Sequence, residues 1–230
     1  MTNINLSKNV WIVIPAYCEE KSIEQVVKNV RKSFKHIIVV DDGSHDATFE
    51  NAKKAGAVVL KHAINCGQGA ALQTGITYAH KQGAQFIATF DADGQHNSND
   101  LVNMSEVLIK GGFDIVLGSR FLDETSNTPF TRIVLLKVAI LFTWLTSGVR
   151  LSDVHNGLRV MTANTAAKLN IQQSKMAHAS EIISIIKDLK FKFTEAPVTI
   201  RYTSYSLAKG QRFWHSFEII KELIVGKLIK

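Results

Sequence analysis

Short runs of aliphatic and β-branched residues alternate with longer segments of mixed polarity through the first half of the chain. The apolar runs, which have the length of buried strands, are residues 10–14, 36–40, 58–60, 86–90 and 114–117. The segments between them, which have helical length, are residues 22–34, 45–55, 70–80 and 99–110. This βαβαβαβαβ order predicts an α/β fold, with a mostly parallel sheet and helices on both of its faces.

Polar residues follow three of these strands at the point where each strand ends. They form the segments 15–17, 41–44 and 91–95. The carboxyl ends of parallel strands share one edge of a sheet, and ligands of such folds bind outside that edge. We therefore expect these polar segments to lie together along one edge of the sheet, which forms a rim for ligand binding.

The second half of the chain has a less regular pattern. It contains a predicted long helix at 130–146, a loop at 152–157, a helix at 178–187 and a strand around 191–200. An amphipathic segment at 213–229 follows. No linker, low-complexity tract or repeat separates the halves, so we expect a single domain over residues 1–230.

Composition narrows the class of protein. A chain of 230 residues with 46% hydrophobic side chains can form a core without disulfides or a structural metal. Its 27 Lys and Arg against 20 Asp and Glu give a net charge of +7, which suits a phosphorylated substrate, a nucleic acid or an acidic membrane surface. The two cysteines, Cys18 and Cys66, have neither metal-ligand nor disulfide spacing, which indicates a reducing cytosol.

Neither a secretion signal nor a membrane span is predicted. Residues 1–10 are polar and lack the apolar stretch of a signal peptide. The longest apolar stretch, 133–149, is broken by Lys137 and contains hydroxyl residues, so it falls short of the roughly 20 apolar residues of a span. A cytoplasmic location is therefore expected.

An acidic pair ends the fourth predicted strand. Asp91 and Asp93 flank one small residue, so both carboxylates enter the same loop space, and Gln95 adds a neutral oxygen. Two close carboxylates repel each other unless a cation lies between them, and oxygen ligands suit a hard divalent ion. Such an ion could bridge a diphosphate and act as a Lewis acid for its departure. Paired acids are also common in surface loops without a metal.

Two further loops have the composition of nucleotide-binding turns. Asp42 ends the second strand with Gly43 and Ser44, and its carboxylate could accept hydrogen bonds from a ribose or a base. The alternative is an ordinary strand-to-helix turn with a capping residue. Small residues at 65–70 would let backbone amides approach a ligand. Their glycine spacing does not fit the dinucleotide fingerprint, which also follows the first strand.

These loops together resemble glycosyltransferase family 2. The matching segments occur in the family's order and are residues 14–20, 40–48, 91–96, 118–120, 153–159 and 178–181. The match extends over roughly residues 10–210 and is most similar to the dolichol-phosphate mannosyltransferases and bacterial polyprenyl-phosphate sugar transferases. It implies a GT-A fold and inverting transfer of a sugar from a UDP- or GDP-linked donor, with polyprenyl or dolichyl phosphate as the main acceptor hypothesis.

The resemblance also assigns roles to individual residues. It implies Mg²⁺ or Mn²⁺ held by Asp93 and Gln95, with Asp91 nearby. The residues that would contact the nucleotide diphosphate are Pro15, Tyr17, Glu19, Asp42, Gly67, Asp91 and Lys209. Cys18 departs from the family, which usually has Asn at this position, and we expect the change to be tolerated.

The acceptor decides which residues would perform the chemistry. A phosphate acceptor is already anionic and needs cations, for which Arg120 and Arg159 are suited. A saccharide hydroxyl, the alternative acceptor in surface polysaccharide synthesis, needs a general base. Asp153 is preferred for that role over Glu181, which would otherwise orient Arg159.

The resemblance divides the predicted domain into a nucleotide-sugar-binding half at 10–120, an acceptor half at 121–210 and an amphipathic helix at 211–230. Lys209 lies in a loop expected to close over the diphosphate. Relatives of this branch often carry transmembrane helices, and none is predicted in this sequence. A lipid acceptor would therefore require peripheral membrane attachment or a membrane-protein partner, and the last helix could bind a membrane interface.

Other classes of protein fit less well. Phosphatases of the haloacid dehalogenase type have an Asp-x-Asp after the first strand, whereas Asp91 follows the fourth. A non-catalytic nucleotide-sugar scaffold would not need the intact set of Asp91, Asp93 and Gln95. Nucleic-acid binding is supported by net charge alone and by no motif.

Overall fold

A computed structural model describes residues 6–123, 130–174 and 177–201. Within these residues, a seven-stranded sheet in the order β3-β2-β1-β4-β6-β5-β7 forms the centre of the fold. Its strands are β1 (Val10–Ala16), β2 (His36–Asp41), β3 (Val58–Lys61), β4 (Phe86–Thr89), β5 (Ile115–Ser119), β6 (Arg159–Thr162) and β7 (Phe193–Pro197). The helices are α1 (Leu6–Asn9), α2 (Ile23–Arg31), α3 (Thr48–Lys54), α4 (Gln68–Lys81), α5 (Ser98–Gly111), α6 (Phe130–Ser147), α7 (Ala163–Lys168) and α8 (His178–Asp188).

The predicted alternation of strands and helices is confirmed from β1 to β5. Strand β1 pairs in parallel with β2 and β4, and β2 pairs in parallel with β3. Helix α3 begins at Thr48 rather than at residue 45, because Asp46 accepts a hydrogen bond from the Thr48 amide at 3.0 Å and holds the preceding residues in a turn. The short helices α1 and α7 were not predicted from the sequence.

Strand β6 is the main feature that the sequence analysis missed. It inserts between β4 and β5 and is antiparallel to both. Only four residues long, it follows directly on the 152–157 loop and begins with an arginine, so it lacks the extended apolar run of the other central strands. Its register pairs Arg159 with Thr89 on β4 and with Leu117 on β5. The strand therefore brings the preceding 152–157 loop close to the acidic loop that follows β4.

The sheet has an apolar layer on each face because its central strands are buried on both sides. On one face, Ile12 and Ile14 belong to the same cluster as residues of α2 and α5, such as Val27 and Leu101. On the other face, Val13 packs in a cluster with residues of α4, α7 and α8. Each fully buried aliphatic side chain stabilises the fold by about 1.5–3 kcal/mol.

Helix α6 differs from the others in the side chains that it exposes. Val134, Val138, Leu141 and Leu145 are 49%, 50%, 50% and 71% exposed, and their spacing places them along one side of the helix. No helix among the described residues is long and apolar enough to cross a membrane. The predicted C-terminal amphipathic helix at 211–230 and the loop containing Lys209 lie outside the described residues.

Candidate active site

The acidic loop after β4 begins with a partly buried carboxylate that accepts two hydrogen bonds. Asp91 accepts hydrogen bonds from His96 Nε2 at 2.9 Å and from Gln68 Nε2 at 3.2 Å. Burial opposes its ionisation. The His96 hydrogen bond and the charges of His96, Arg159 and His178 outweigh that effect, so the pKa of Asp91 lies below its usual value. Asp91 is therefore a carboxylate at neutral pH.

Asp93 has the opposite electrostatic environment. Burial and then the negative charge of Asp91 raise the pKa of Asp93, and its one described hydrogen bond comes from the Gln95 amide at 3.0 Å. A divalent cation beside both carboxylates would remove this repulsion. The donor set of Asp91, Asp93 and Gln95 consists of oxygens only, and it fits Mg²⁺ or Mn²⁺.

The loop that precedes β6 brings a glycine against the acidic loop. A Cβ at Gly157 would overlap the Asp91 carboxylate, so only glycine permits this approach. Thr89 Oγ1 donates a hydrogen bond to the Gly157 carbonyl at 2.6 Å and fixes this loop to the end of β4. Sequence reasoning singled out neither Gly157 nor His96 as a site residue, although both lie within the motifs that carried the resemblance.

Asp42 lies in a cradle formed by the 62–67 segment. Its Oδ1 contacts His62 Nδ1 at 2.7 Å and accepts from the Cys66 amide at 2.9 Å, while its Oδ2 accepts from the Gly67 amide at 2.7 Å. A Cβ at Gly43 would lie 2.6 Å from the Ile64 carbonyl carbon, so the two loops are in close contact. Two predicted nucleotide residues, Asp42 and Gly67, therefore contact each other. His62 is a partner that sequence reasoning missed.

The loop after β1 places its residues on the same rim. Pro15 is buried and pairs with Val40 of β2, whereas Tyr17 is 42% exposed. Glu19 is buried, accepts a hydrogen bond from Ser22 Oγ at 2.7 Å, and contributes to the negative potential at Asp93. The loop after β1 and the acidic loop after β4 are thus electrostatic neighbours.

Asp153, in the loop before β6, and Arg120, directly after β5, form a buried ion pair. Arg120 Nε donates to Asp153 Oδ2 at 2.6 Å, and the Arg120 amide donates to the same oxygen at 3.2 Å. Asp153 Oδ1 accepts from the His155 amide at 3.2 Å, so both oxygens are engaged. Burial, together with the charges of Arg120 and Arg159, lowers the pKa of His155 despite the opposing effect of Asp153. His155 is therefore neutral.

Arg159 is buried between two carboxylates without a hydrogen bond at one of its nitrogens. Burial lowers the pKa of its guanidinium, and the charges of Asp91 and Asp153 act against that shift. An arginine remains protonated in proteins. Its Nη1 has no hydrogen-bond partner among the described residues, and the same holds for Asn156 Nδ2 and Ser180 Oγ. Such orphaned buried groups each cost about 1–3 kcal/mol, which a bound ligand would offset.

Glu181 serves a different segment from the one expected. Its carboxylate accepts hydrogen bonds from the Gln172 amide at 3.1 Å and from the Gln173 amide at 2.9 Å. The described contacts of Glu181 do not include Arg159, so the expected orienting role finds no support. The carboxylate instead holds the 172–173 segment against the first turn of α8.

The sheet order, with its antiparallel β6 and the acidic loop after β4, defines a GT-A-type fold with a rim suited to a nucleotide diphosphate and a divalent ion. The chain belongs to glycosyl transferase family 2, whose model matches residues 11–164. The resemblance in the sequence and the expected fold are both confirmed.

Three similar proteins illustrate the relationship. An uncharacterized protein of Methanocaldococcus jannaschii is 36% identical over 95% of this chain and 92% of its own length. The UDP-N-acetylglucosamine–dolichyl-phosphate N-acetylglucosaminyltransferase of Methanococcus voltae is 32% identical over 97% of this chain and 98% of its own. The glucosyl-3-phosphoglycerate synthase of Mycobacterium tuberculosis, solved with Mn²⁺, UDP-glucose and phosphoglyceric acid, has a TM-score of 0.71 and 15% identity, covering 94% of this chain and 77% of its own.

Proposed function

We propose that this protein transfers a sugar, with inversion, from a UDP- or GDP-linked donor to polyprenyl or dolichyl phosphate. The observation that carries the proposal is the buried guanidinium of Arg159, whose Nη1 has no hydrogen-bond partner among the described residues. The M. voltae relative, a dolichyl-phosphate N-acetylglucosaminyltransferase that matches nearly the whole chain, supports the same acceptor class.

The donor would bind along the rim formed by the loops after β1, β2, β3 and β4. Asp42, Gly67, Pro15, Tyr17 and Glu19 would contact the nucleotide, and Lys209 is proposed for the diphosphate. Asp91, Asp93 and Gln95 would hold Mg²⁺ or Mn²⁺, which supplies Lewis acidity for departure of the diphosphate. The raised pKa of Asp93 supports this assignment, because a cation would stabilise its ionised form.

The acceptor phosphate would be held by Arg159, with its attacking oxygen directed at the anomeric carbon. A bond forms between that oxygen and the sugar while the bond to the nucleotide diphosphate breaks on the opposite face. Because the phosphate is already anionic, the step needs no general base. Arg120 would support the site through its ion pair with Asp153 rather than as an independent phosphate ligand.

The alternative acceptor, a saccharide hydroxyl, would need a base from this half of the protein. Asp153 is 2% exposed and already accepts hydrogen bonds at both oxygens. Glu181 accepts hydrogen bonds from two backbone amides. Neither carboxylate is disposed to remove a proton, and this favours the phosphate acceptor.

A lipid acceptor also implies contact with a membrane. The exposed apolar side of α6, formed by Val134, Val138, Leu141 and Leu145, would lie at the interface as a peripheral anchor at the inner face of the membrane. The net charge of +7 suits anionic lipid headgroups.

The test compares two acceptors that differ only in their headgroup. Radiolabelled nucleotide sugars are incubated with Mn²⁺ and either polyprenyl phosphate or the matching polyprenol, with a saccharide acceptor in parallel. We expect labelled, acid-labile lipid from polyprenyl phosphate alone. The Arg159→Gln variant should lose this transfer by at least about tenfold while retaining metal-dependent nucleotide binding. Transfer to the polyprenol or the saccharide instead would refute the phosphate-acceptor proposal, and nucleotide binding without any product would indicate a scaffold.

A further inference from the structure

A second group of metal-ligating side chains lies away from the acidic loop. Among the described residues, Asp42, His62 and Cys66 each offer a ligand atom, and these atoms all lie within 4.8 Å of one another. They come from the ends of β2 and β3, whereas the Mg²⁺ or Mn²⁺ residues follow β4. The set combines a carboxylate oxygen, an imidazole nitrogen and a thiol sulfur.

The orientation of His62 is set by its surroundings. Its Nε2 lies 3.0 Å from Thr74 Oγ1, and its Nδ1 lies 2.7 Å from Asp42 Oδ1. If Nε2 carries the proton and donates it to Thr74, the lone pair on Nδ1 is directed toward Asp42. A hydrogen bond at one ring nitrogen that fixes the other for coordination is the usual arrangement around metal-binding histidines. Two facing acceptor atoms at this distance require a proton or a cation between them.

The third ligand, Cys66, is open to solvent, and its side chain can rotate. Cys66 is exposed, so an ion from solution reaches the thiol without opening the fold. The Cys66 amide is anchored to Asp42 at 2.9 Å, which keeps the thiol beside the other two groups. Tetrahedral zinc ligands lie about 3.3–3.7 Å apart, given bond lengths near 2.0 Å for nitrogen and oxygen and 2.3 Å for sulfur. On coordination, Asp42 Oδ1 and His62 Nδ1, now 2.7 Å apart, would separate by about 0.6 Å. Rotation of the exposed Cys66 side chain would bring its sulfur within bonding distance of the same ion.

We propose that Asp42, His62 and Cys66 form a site for a thiophilic divalent ion, of which Zn²⁺ is the best match. Coordination would release the thiol proton of Cys66 and the proton shared by His62 and Asp42. The fourth position would be taken by water, as at zinc sites with three protein ligands. Oxygen-preferring Mg²⁺ would not occupy this mixed set.

Zn²⁺ bound at Asp42, His62 and Cys66 would affect sugar transfer, an effect that rests on the proposed function. The ion would use the Asp42 carboxylate that we assign to the nucleotide. Zn²⁺ at this site and the nucleotide sugar would therefore compete, and the ion would inhibit transfer without displacing the metal at Asp91 and Asp93.

Cobalt titration tests the site without requiring any activity. The full chain, stripped of metals, is titrated with Co²⁺, and the near-ultraviolet charge-transfer band of a cobalt–thiolate bond is recorded. We expect one equivalent of Co²⁺ to produce the band and Zn²⁺ to abolish it by displacement. The Cys66→Ser variant should lack the band, and His62→Gln should weaken Co²⁺ binding at least about tenfold.

Matched variants decide between this site and others. Cys18→Ser removes the other cysteine and should leave the band unchanged. Asp93→Asn removes a ligand of the Mg²⁺ or Mn²⁺ site and should also keep the band. Absence of the band in the wild-type protein, or its loss in Cys18→Ser but not in Cys66→Ser, would overturn the proposal. Neither result would bear on sugar transfer, so failure of this inference is distinguishable from failure of the proposed function.

Discussion

Cys18 shows how a single backbone angle explains a residue preference. Its φ is +53°, in the left-handed region that disfavours most side chains and that Asn tolerates well. The asparagine that the family usually has here is thus explained by the turn itself. The departure to cysteine costs backbone strain, while the Cys18 amide keeps its hydrogen bond to Ser44 Oγ at 2.9 Å.

The Cys18→Asn substitution should therefore stabilise the protein. We expect the free energy of unfolding, measured by urea denaturation, to rise by about 1 kcal/mol because the left-handed conformation becomes less costly. Cys18→Ala keeps the backbone cost and serves as the control. An unchanged or lower urea midpoint for Cys18→Asn relative to Cys18→Ala would contradict this explanation.

The raised pKa of Asp93 predicts how stability depends on pH in metal-free buffer. A carboxyl whose pKa is higher in the folded than in the unfolded state binds protons more tightly when folded. The contribution of Asp93 to stability therefore falls as the pH rises from the ordinary pKa of an aspartate through the raised pKa in the folded protein. At neutral pH, the free energy of unfolding of Asp93→Asn should exceed that of the wild type by about 1 kcal/mol. This is the order of magnitude of the repulsion between Asp93 and Asp91 that the substitution removes. This difference should shrink in acid.

Metal binding should make the wild type more stable than Asp93→Asn. Mn²⁺ at a hundredfold excess over its dissociation constant would stabilise the wild type by about 2.7 kcal/mol and the variant by much less. Thermal unfolding with and without Mn²⁺ at several pH values measures both effects. Equal Mn²⁺ stabilisation of the two proteins would exclude Asp93 as a ligand.

At the scale of elements, the position of β6 matters because the loop that leads into it places Gly157 against Asp91. In Gly157→Ala the new methyl group would displace the Asp91 carboxylate. We expect transferase activity to fall about a hundredfold, which is the typical cost of misplacing a catalytic group by about 1 Å.

Gly83→Ala is the matched control for that experiment. Gly83 has a φ of +83° with open space around it, so alanine there adds backbone strain away from the site. We expect a stability loss of about 1 kcal/mol with normal activity. If Gly157→Ala lowered activity no more than Gly83→Ala at equal stability, the contact with Asp91 would be irrelevant to function.

The exposed side of α6 is the second element with a testable role. Leu141→Asp places a charge in the middle of the apolar side and should reduce binding to anionic vesicles by at least about tenfold. Val107→Asp makes the same kind of change on α5, where Val107 is 36% exposed, and should have little effect. Vesicle sedimentation of the two variants measures the difference, and equal binding would remove α6 as the anchor.

For the whole molecule, sequence patterns predicted the order of strands and helices from β1 to β5 and the rim on which the polar loops lie. Hydrophobic periodicity and strand ends are local properties, so the positions of Asp42, Asp91 and Asp93 could be inferred. The partners of these residues could not, because they come from distant parts of the chain. The contacts of His62 with Asp42 and of Gly157 with Asp91 depend on how the loops pack. The ion pair between Asp153 and Arg120 depends on where the antiparallel β6 lies in the sheet.

The central claim is metal-dependent sugar transfer to a lipid phosphate. Its most direct test is the initial rate of labelled polyprenyl-phosphate sugar formation in Mn²⁺, measured for the wild type, for Asp93→Asn and for the wild type with excess chelator. We expect product from the wild type alone, with at least about a tenfold loss in the other two samples. Equal rates in all three samples would contradict the assignment of the metal site, and no lipid product from any nucleotide sugar would contradict the proposed function.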